Sequence, residues 1–153
     1  MDKFQQIDKT LYRGSQPDDD QLEQLKNQGI DIIINFRRMS EREKTVQNLN
    51  MDYIHLPVDY NKPLPDDRVK MFFEIIDKAK KENKKVFMHC FYGKDRTGIF
   101  AAIYKLQNGL ADLDNCIKEM IDFGHTVEDG PHFIECLKNF ANSLKESDIN
   151  LIK

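Results

Sequence analysis

The run Ile30-Asp31-Ile32-Ile33-Ile34-Asn35-Phe36 constrains the fold more than any other stretch of the 153-residue chain. It is too continuously apolar for a strand with one wet face, which predicts a central parallel strand covered on both sides. Parallel strands need crossover connections, and the flanking sequence supplies helices for them. Leu11 to Gly14 predicts a short strand, and Gln16-Pro17-Asp18 opens a helix that carries Leu22 and Leu25 and closes at Gly29. Ser40 with Glu43 forms a capping-box pattern for a helix over 41–49, and a third strand runs from Tyr53 to Val58 into the loop Asp59-Tyr60-Asn61-Lys62-Pro63-Leu64-Pro65. From Pro65 the spacing of Val69, Phe72, Phe73, Ile76 and Ala79 predicts a helix, followed by the solvated turn Lys80 to Lys85 and a buried strand, Val86 to His89. Leu113, Cys116, Ile117, Met120 and Ile121 mark one further amphipathic helix, and Phe133, Cys136, Leu137, Phe140 and Leu144 mark another. The expected fold is therefore α/β, one domain over 1–153, with a mainly parallel central sheet of four to five strands and helices on both faces. No repeat, linker or low-complexity tract divides it.

In sheets of this kind ligands sit beyond the carboxyl ends of the strands. Between the strand ending at His89 and the apolar run Ile99 to Tyr104, which reads as a buried helix, lies His89-Cys90-Phe91-Tyr92-Gly93-Lys94-Asp95-Arg96-Thr97-Gly98. The five residues between Cys90 and Arg96 make one tight strand-to-helix loop. Its backbone N–H groups, with those of the helix start, converge on a point suited to a tetrahedral dianion, so Phe91, Tyr92, Gly93, Lys94, Asp95 and Arg96 are the expected phosphate-binding residues. Cys90 at the base of the loop is either a buried strand-end cysteine or a nucleophile. The helix start and a nearby arginine both favour its thiolate. Arg96 offers a planar fork for two phosphate oxygens, and a cation at a helix N-terminus is otherwise unfavourable. Gly93 suits positive φ or a close approach of backbone to ligand. Thr97 either donates to the Cys90 sulfur or caps the helix. His89, one position earlier on an alternating strand, turns to the opposite face and orients the loop.

A leaving alkoxide or phenoxide needs a proton. Asp59 is the first candidate donor, because it ends a strand parallel to the Cys90 strand and opens a proline-containing loop, the alternative being an ordinary turn aspartate; Asp95 is the second. Asp66 and Asp67 instead serve the dipole of the helix that follows them. Lys62, Lys94, Arg37 and Arg38 form either a basic rim or ordinary solvated surface. A nucleotide-binding P-loop is excluded, since it needs a glycine where Met88 stands and a Ser or Thr where Asp95 stands.

The formal net charge of −3 argues against a general nucleic-acid binder. No run approaches membrane-spanning length, and Met1 to Gln6 lacks a secretory layout, so the expectation is a cytoplasmic chain. Three widely spaced cysteines, Cys90, Cys116 and Cys136, imply neither a disulfide framework nor a zinc site. No metal or cofactor is expected, and monomer is the default state.

The decapeptide HCFYGKDRTG resembles the signature loop of the cysteine-dependent protein tyrosine phosphatase superfamily, His-Cys-x5-Arg-Thr-Gly, at every position. That resemblance implies a tyrosine-phosphatase-like fold and a two-step, metal-free mechanism. It makes Cys90 the nucleophile, Arg96 the phosphate-binding arginine and Thr97 the hydroxyl that assists thiolate departure. Small size and the absence of tryptophan resemble the compact dual-specificity and atypical group, and residues 11–37 are similar to the amino-terminal half of its bacterial and plant-fungal atypical members. Asp59 to Pro63 resembles the acid loop of a phosphoinositide 3-phosphatase with one residue inserted. Gly93 to Thr97 resembles secreted bacterial phosphatases in which the loop aspartate is itself the acid. Both acid assignments therefore stay open, as do phosphorylated protein and inositol phosphate or phosphoinositide as substrate. Residues 124–132 fall where relatives place a loop flanking the site, which adds His125 to the candidate rim, with His132 beside it. Two other readings compete: a phosphate-recognising binding module without catalysis, and an arsenate- or sulfur-handling thiol enzyme.

Overall fold

The computed structural model describes residues 1–152, with side chains through residue 147. Its strands are β1 (Gln5–Gln6), β2 (Leu11–Gly14), β3 (Ile30–Asn35), β4 (Asp52–His55) and β5 (Lys85–His89). Its helices are α1 (Asp19–Asn27), α2 (Glu43–Asn48), α3 (Asp66–Lys81), α4 (Arg96–Gln107), α5 (Leu113–Asp122) and α6 (Phe133–Ile152). The strands form one sheet in the order β1-β2-β5-β3-β4, parallel except for the antiparallel edge pair β1–β2. The α/β expectation holds, with β3 and β5 at the centre as their apolar runs require.

Period-2 alternation sorts the strand side chains into two layers. Leu11, Ile32, Ile34, Val86 and Met88 face α3 to α6, where they meet Phe72, Ile76, Phe100 and Leu137. Tyr12, Ile33 and Phe87 face α1 and α2, where they meet Leu22, Leu25 and Val46. Every residue of α4 from Thr97 to Lys105 is buried, which explains why its sequence is apolar all round rather than striped. The Phe36 and Phe100 rings stack with centroids 4.3 Å apart, tying the end of the central strand run to this helix.

Helix α1 begins as its sequence directs. The Asp18 side chain accepts from Gln21 N, the Gln21 side chain accepts from Asp18 N, and Gly29 at φ +91° closes the helix. The expected Ser40–Glu43 capping box does not form. Helix α2 starts at Glu43 behind Arg42 in a left-handed conformation, φ +59°, with no side-chain cap. The Ser40 hydroxyl is instead 3.1 Å from the Tyr53 hydroxyl, which also accepts from Asn35 Nδ2 and Glu41 N. Strand β4 ends at His55 rather than Val58, although Leu56 N and Val58 N still donate to Asn35 O and Phe36 O.

Register fixes where the strands stop. Gly14 of β2 and Asn35 of β3 both pair with His89 of β5, and His55 of β4 pairs with Asn35. The carboxyl ends of four strands thus lie in one row, and the segments that leave them share one edge of the sheet.

Candidate active site

The Cys90 loop is built by that row. Cys90 follows the last residue of β5 and is 2 % exposed. Gln16 N, from the segment after β2, donates to Phe91 O at 3.0 Å. Gly93 sits at φ +77°, and a Cβ there would lie 2.6 Å from Gly14 C and 2.7 Å from Gly14 O and Ser15 N. Only glycine lets the loop pack this closely on the end of β2. Arg13 Nη2 donates to Gly93 O at 2.7 Å from a fully buried position, with its guanidinium 4.1 Å over the Phe123 ring and 3.8 Å from a Glu119 carboxylate oxygen. Burial lowers the Arg13 pKa to about 10, which leaves it charged near neutral pH. Helix α4 then starts at Arg96 with no side-chain cap, so its first N–H groups remain available to an anion.

A cavity of about 130 Å3 opens over the loop. The loop contributes Cys90, Phe91, Tyr92, Lys94, Asp95 and Arg96 to its wall, and Tyr60 and Asp129 complete it. Cys90 and Arg96 therefore share one concave site with the partially exposed rings of Phe91, Tyr92 and Tyr60. The Phe91 and Tyr92 rings meet edge to face at 4.7 Å, and the Arg96 guanidinium lies 5.5 Å from the Tyr60 ring. Among the described residues Arg96 has no carboxylate partner, whereas Lys94 Nζ is 2.6 Å from Asp129 Oδ2. That hydrogen bond raises the Lys94 pKa and lowers that of Asp129, so both stay ionised.

The remaining candidates are dispersed. Asp59 lies outside the cavity wall: its Oδ1 accepts from Asn61 N at 2.9 Å and its carbonyl accepts from Lys62 N, so it organises the turn that carries Tyr60. Asp95 does line the cavity, with Oδ1 2.8 Å from Nδ1 of the buried His125. The Thr97 hydroxyl is fully buried without a hydrogen-bond partner among the described residues, so it neither caps α4 nor bonds the Cys90 sulfur here. His89 turns to the α1–α2 side of the sheet, beside Leu22, Ile33 and Val46, with Nδ1 3.1 Å from Cys90 O. Burial lowers its pKa to about 4.

The basic rim is also redistributed. Arg37 pairs with Glu41 at 2.9 Å, donates to Gln16 Oε1 and lies 4.7 Å over the Phe91 ring. Arg38 and Lys62 are exposed and outside the cavity wall. His132 serves through its carbonyl, which accepts from Cys136 N. Three contributors escaped the sequence reading: Arg13, Tyr60 and Asp129. Only Arg13 carries a local signal, an arginine inside an otherwise apolar strand run. Among the described residues no cluster of three or more His, Cys, Asp or Glu is placed to hold a metal ion.

A buried cysteine and an arginine, joined by a five-residue loop at a helix start, thus line one cavity. The family described as "Dual specificity phosphatase, catalytic domain" matches residues 11–143. The chain belongs to this family. It is 28% identical over 120 residues to the dual specificity protein phosphatase TpbA of Pseudomonas aeruginosa, a match covering 78% of this chain and 54% of the relative. The chain thus spans about half the length of the curated relatives it matches. Among solved structures, a DUF442 protein from Shewanella putrefaciens CN-32 superimposes with a TM-score of 0.77 at 26% identity, covering 93% of this chain and 90% of that one. The crystal structure of P. aeruginosa TpbA gives a TM-score of 0.76 at 21% identity over 93% and 90% of the two chains, a likeness of fold. No helix among the described residues is long and apolar enough to cross a membrane.

Proposed function

We propose that this chain is a phosphomonoester hydrolase that works through a phosphocysteine on Cys90 and takes aryl phosphates of the phosphotyrosine type. The observation that carries this reading is the one cavity that brings together Cys90, an Arg96 without a carboxylate partner among the described residues, the first N–H groups of α4 and an aromatic wall of Tyr60, Phe91 and Tyr92. The loop amides and Arg96 bind the phosphoryl oxygens and stabilise the equatorial charge that grows during transfer. The Cys90 thiolate attacks phosphorus as the ester P–O bond breaks, and the phenoxide leaves with a proton from an aspartic acid. Water then attacks the phosphocysteine and gives a proton to the same aspartate. The S–P bond breaks, inorganic phosphate leaves and the thiolate returns. The Thr97 hydroxyl, buried and without a partner among the described residues, is available to the departing sulfur.

Asp59 is the acid in this proposal, brought over the ester by movement of the turn that already sets Tyr60 against Arg96. One observation favours a second reading: Asp95, not Asp59, lines the cavity. Its carboxylate is already engaged by His125, with Oδ1 2.8 Å from Nδ1, so it is held at the loop rather than free to turn to a leaving group. A reducing, cytoplasmic compartment suits the chemistry, since all three cysteines are free. Against a sulfur- or arsenate-handling enzyme, burial raises the Cys116 pKa to about 11, which makes it a poor resolving thiol.

The test is phosphate release from para-nitrophenyl phosphate and from a phosphotyrosine peptide. Wild-type turnover that Cys90→Ser abolishes, with phosphate-ester binding retained, supports the proposal. A binding module without catalysis would release nothing. For the acid, Asp59→Asn should slow phenyl phosphate, a poor leaving group, far more than para-nitrophenyl phosphate, whereas the same pattern in Asp95→Asn would move the role to Asp95.

A further inference from the structure

We infer that Asp129 is a specificity-determining residue, which holds Lys94 and sets the cavity mouth against esters carrying a second phosphate. This rests on the reading of the cavity as a phosphate-ester site.

Lys94, next to the cradle, is the obvious cation for a second phosphate, yet the loop between α5 and α6 engages it at both ends. Its stem packs against Gly124, where a Cβ would lie 3.4 Å from Lys94 Cδ, and its Nζ is 2.6 Å from Asp129 Oδ2. Asp129 is itself fixed. The Thr126 hydroxyl donates to Oδ2 at 3.0 Å, and Asp129 N donates back to Thr126 Oγ1 at 3.3 Å and to Thr126 O at 3.1 Å. The same loop holds the adjacent cradle residue through the contact between His125 and Asp95.

The charges on the cavity wall then divide unequally. Arg96 is left for one phosphoryl group, Lys94 is neutralised by Asp129, and Asp95 adds a second carboxylate, backed by His125. A single phosphate on an aromatic ring meets the arginine and the ring wall. A second phosphate beside it meets a carboxylate whose counter-ion is already engaged, and must displace Asp129 before it gains Lys94. Asp129 and Lys94 thus turn a loop with a cation into one that favours isolated phosphates.

The experiment measures binding of inorganic phosphate and of inositol hexakisphosphate to the Cys90→Ser protein by calorimetry, with Asp129→Asn added and then Lys94→Met as well. Asp129→Asn should raise affinity for inositol hexakisphosphate relative to phosphate about tenfold, the effect of one partly screened charge at a few ångströms. Lys94→Met in the same protein should erase that gain, because the gain comes from the freed ammonium. An unchanged ratio in Asp129→Asn, or a gain that survives Lys94→Met, overturns the inference. The readout does not depend on turnover. A wild-type chain that hydrolyses no aryl phosphate, together with the expected shift in ratio among the Cys90→Ser variants, would refute the hydrolase reading and leave the role of Asp129 standing.

Discussion

Replacing Arg13 with methionine separates positioning from stability in this fold. The guanidinium donates to Gly93 O at 2.7 Å and lies 4.1 Å over the Phe123 ring, at 1 % exposure. A hydrogen bond from a charged group contributes about 1.5–3 kcal/mol, and a desolvated cation–π contact about 2 kcal/mol. Against these stands the cost of burying the charge: the drop in the Arg13 pKa from 12.5 to about 10 corresponds to about 3 kcal/mol. A methionine of similar length removes all three and fills the same apolar surroundings. Arg13→Met should therefore change global stability by no more than about 2 kcal/mol. The Gly93 carbonyl loses its buried donor, however, and with it one of the contacts that aim the loop amides. A displacement of about 1 Å at a reacting site costs up to about 10² in rate. The expected result is a urea midpoint near wild type with kcat/KM for para-nitrophenyl phosphate down tenfold or more. Wild-type kcat/KM in a folded Arg13→Met protein would refute the positioning role, and a stability loss well beyond about 4 kcal/mol would show that Arg13 is chiefly a structural ion.

Other residues give further tests. Gly93→Ala places a side chain at φ +77° and 2.6 Å from Gly14 C, so it should destabilise the fold by about 2 kcal/mol and weaken phosphate binding; urea titrations with and without phosphate read both. His89, lowered from 6.5 to about 4, is neutral above pH 6.5 in both folded and unfolded chains and has no effect on stability there. As pH falls from 6.5 towards 4 only the unfolded chain takes up the proton, so stability drops by about 3 kcal/mol across that window. His89→Asn should flatten the pH dependence of the urea midpoint by that amount, and an unchanged slope would show that another group governs it.

The fold was legible where a local pattern and a global requirement agreed. Continuous apolar runs at 30–36 and 86–89 dictated central parallel strands, and Asp18 and Gly29 bounded α1 by their own hydrogen-bonding and φ preferences. Strand β1 escaped because two residues on an antiparallel edge carry no periodicity. The Ser40–Glu43 pattern misled because the Tyr53 hydroxyl, distant in sequence, takes the serine. At the site, the Cys90 to Arg96 loop was readable since spacing alone closes it. Distant partners were not: nothing local announces that Asp129 would engage Lys94 or that His125 would meet Asp95, whereas the Arg37–Glu41 pair and the Asp59 turn join residues within four positions of each other. Charged residues show their sign in sequence, whereas their ion pairs depend on which loops the sheet brings to one edge.

The central claim is that phosphate passes through the Cys90 sulfur. Rapid acid quench of the wild-type protein during turnover of para-nitrophenyl phosphate, followed by peptide mass spectrometry, measures this directly. The account predicts one added phosphoryl group on the peptide containing Cys90, absent from Cys90→Ser. Phosphate release with the phosphoryl group on another residue, or sustained turnover by Cys90→Ser, would contradict it.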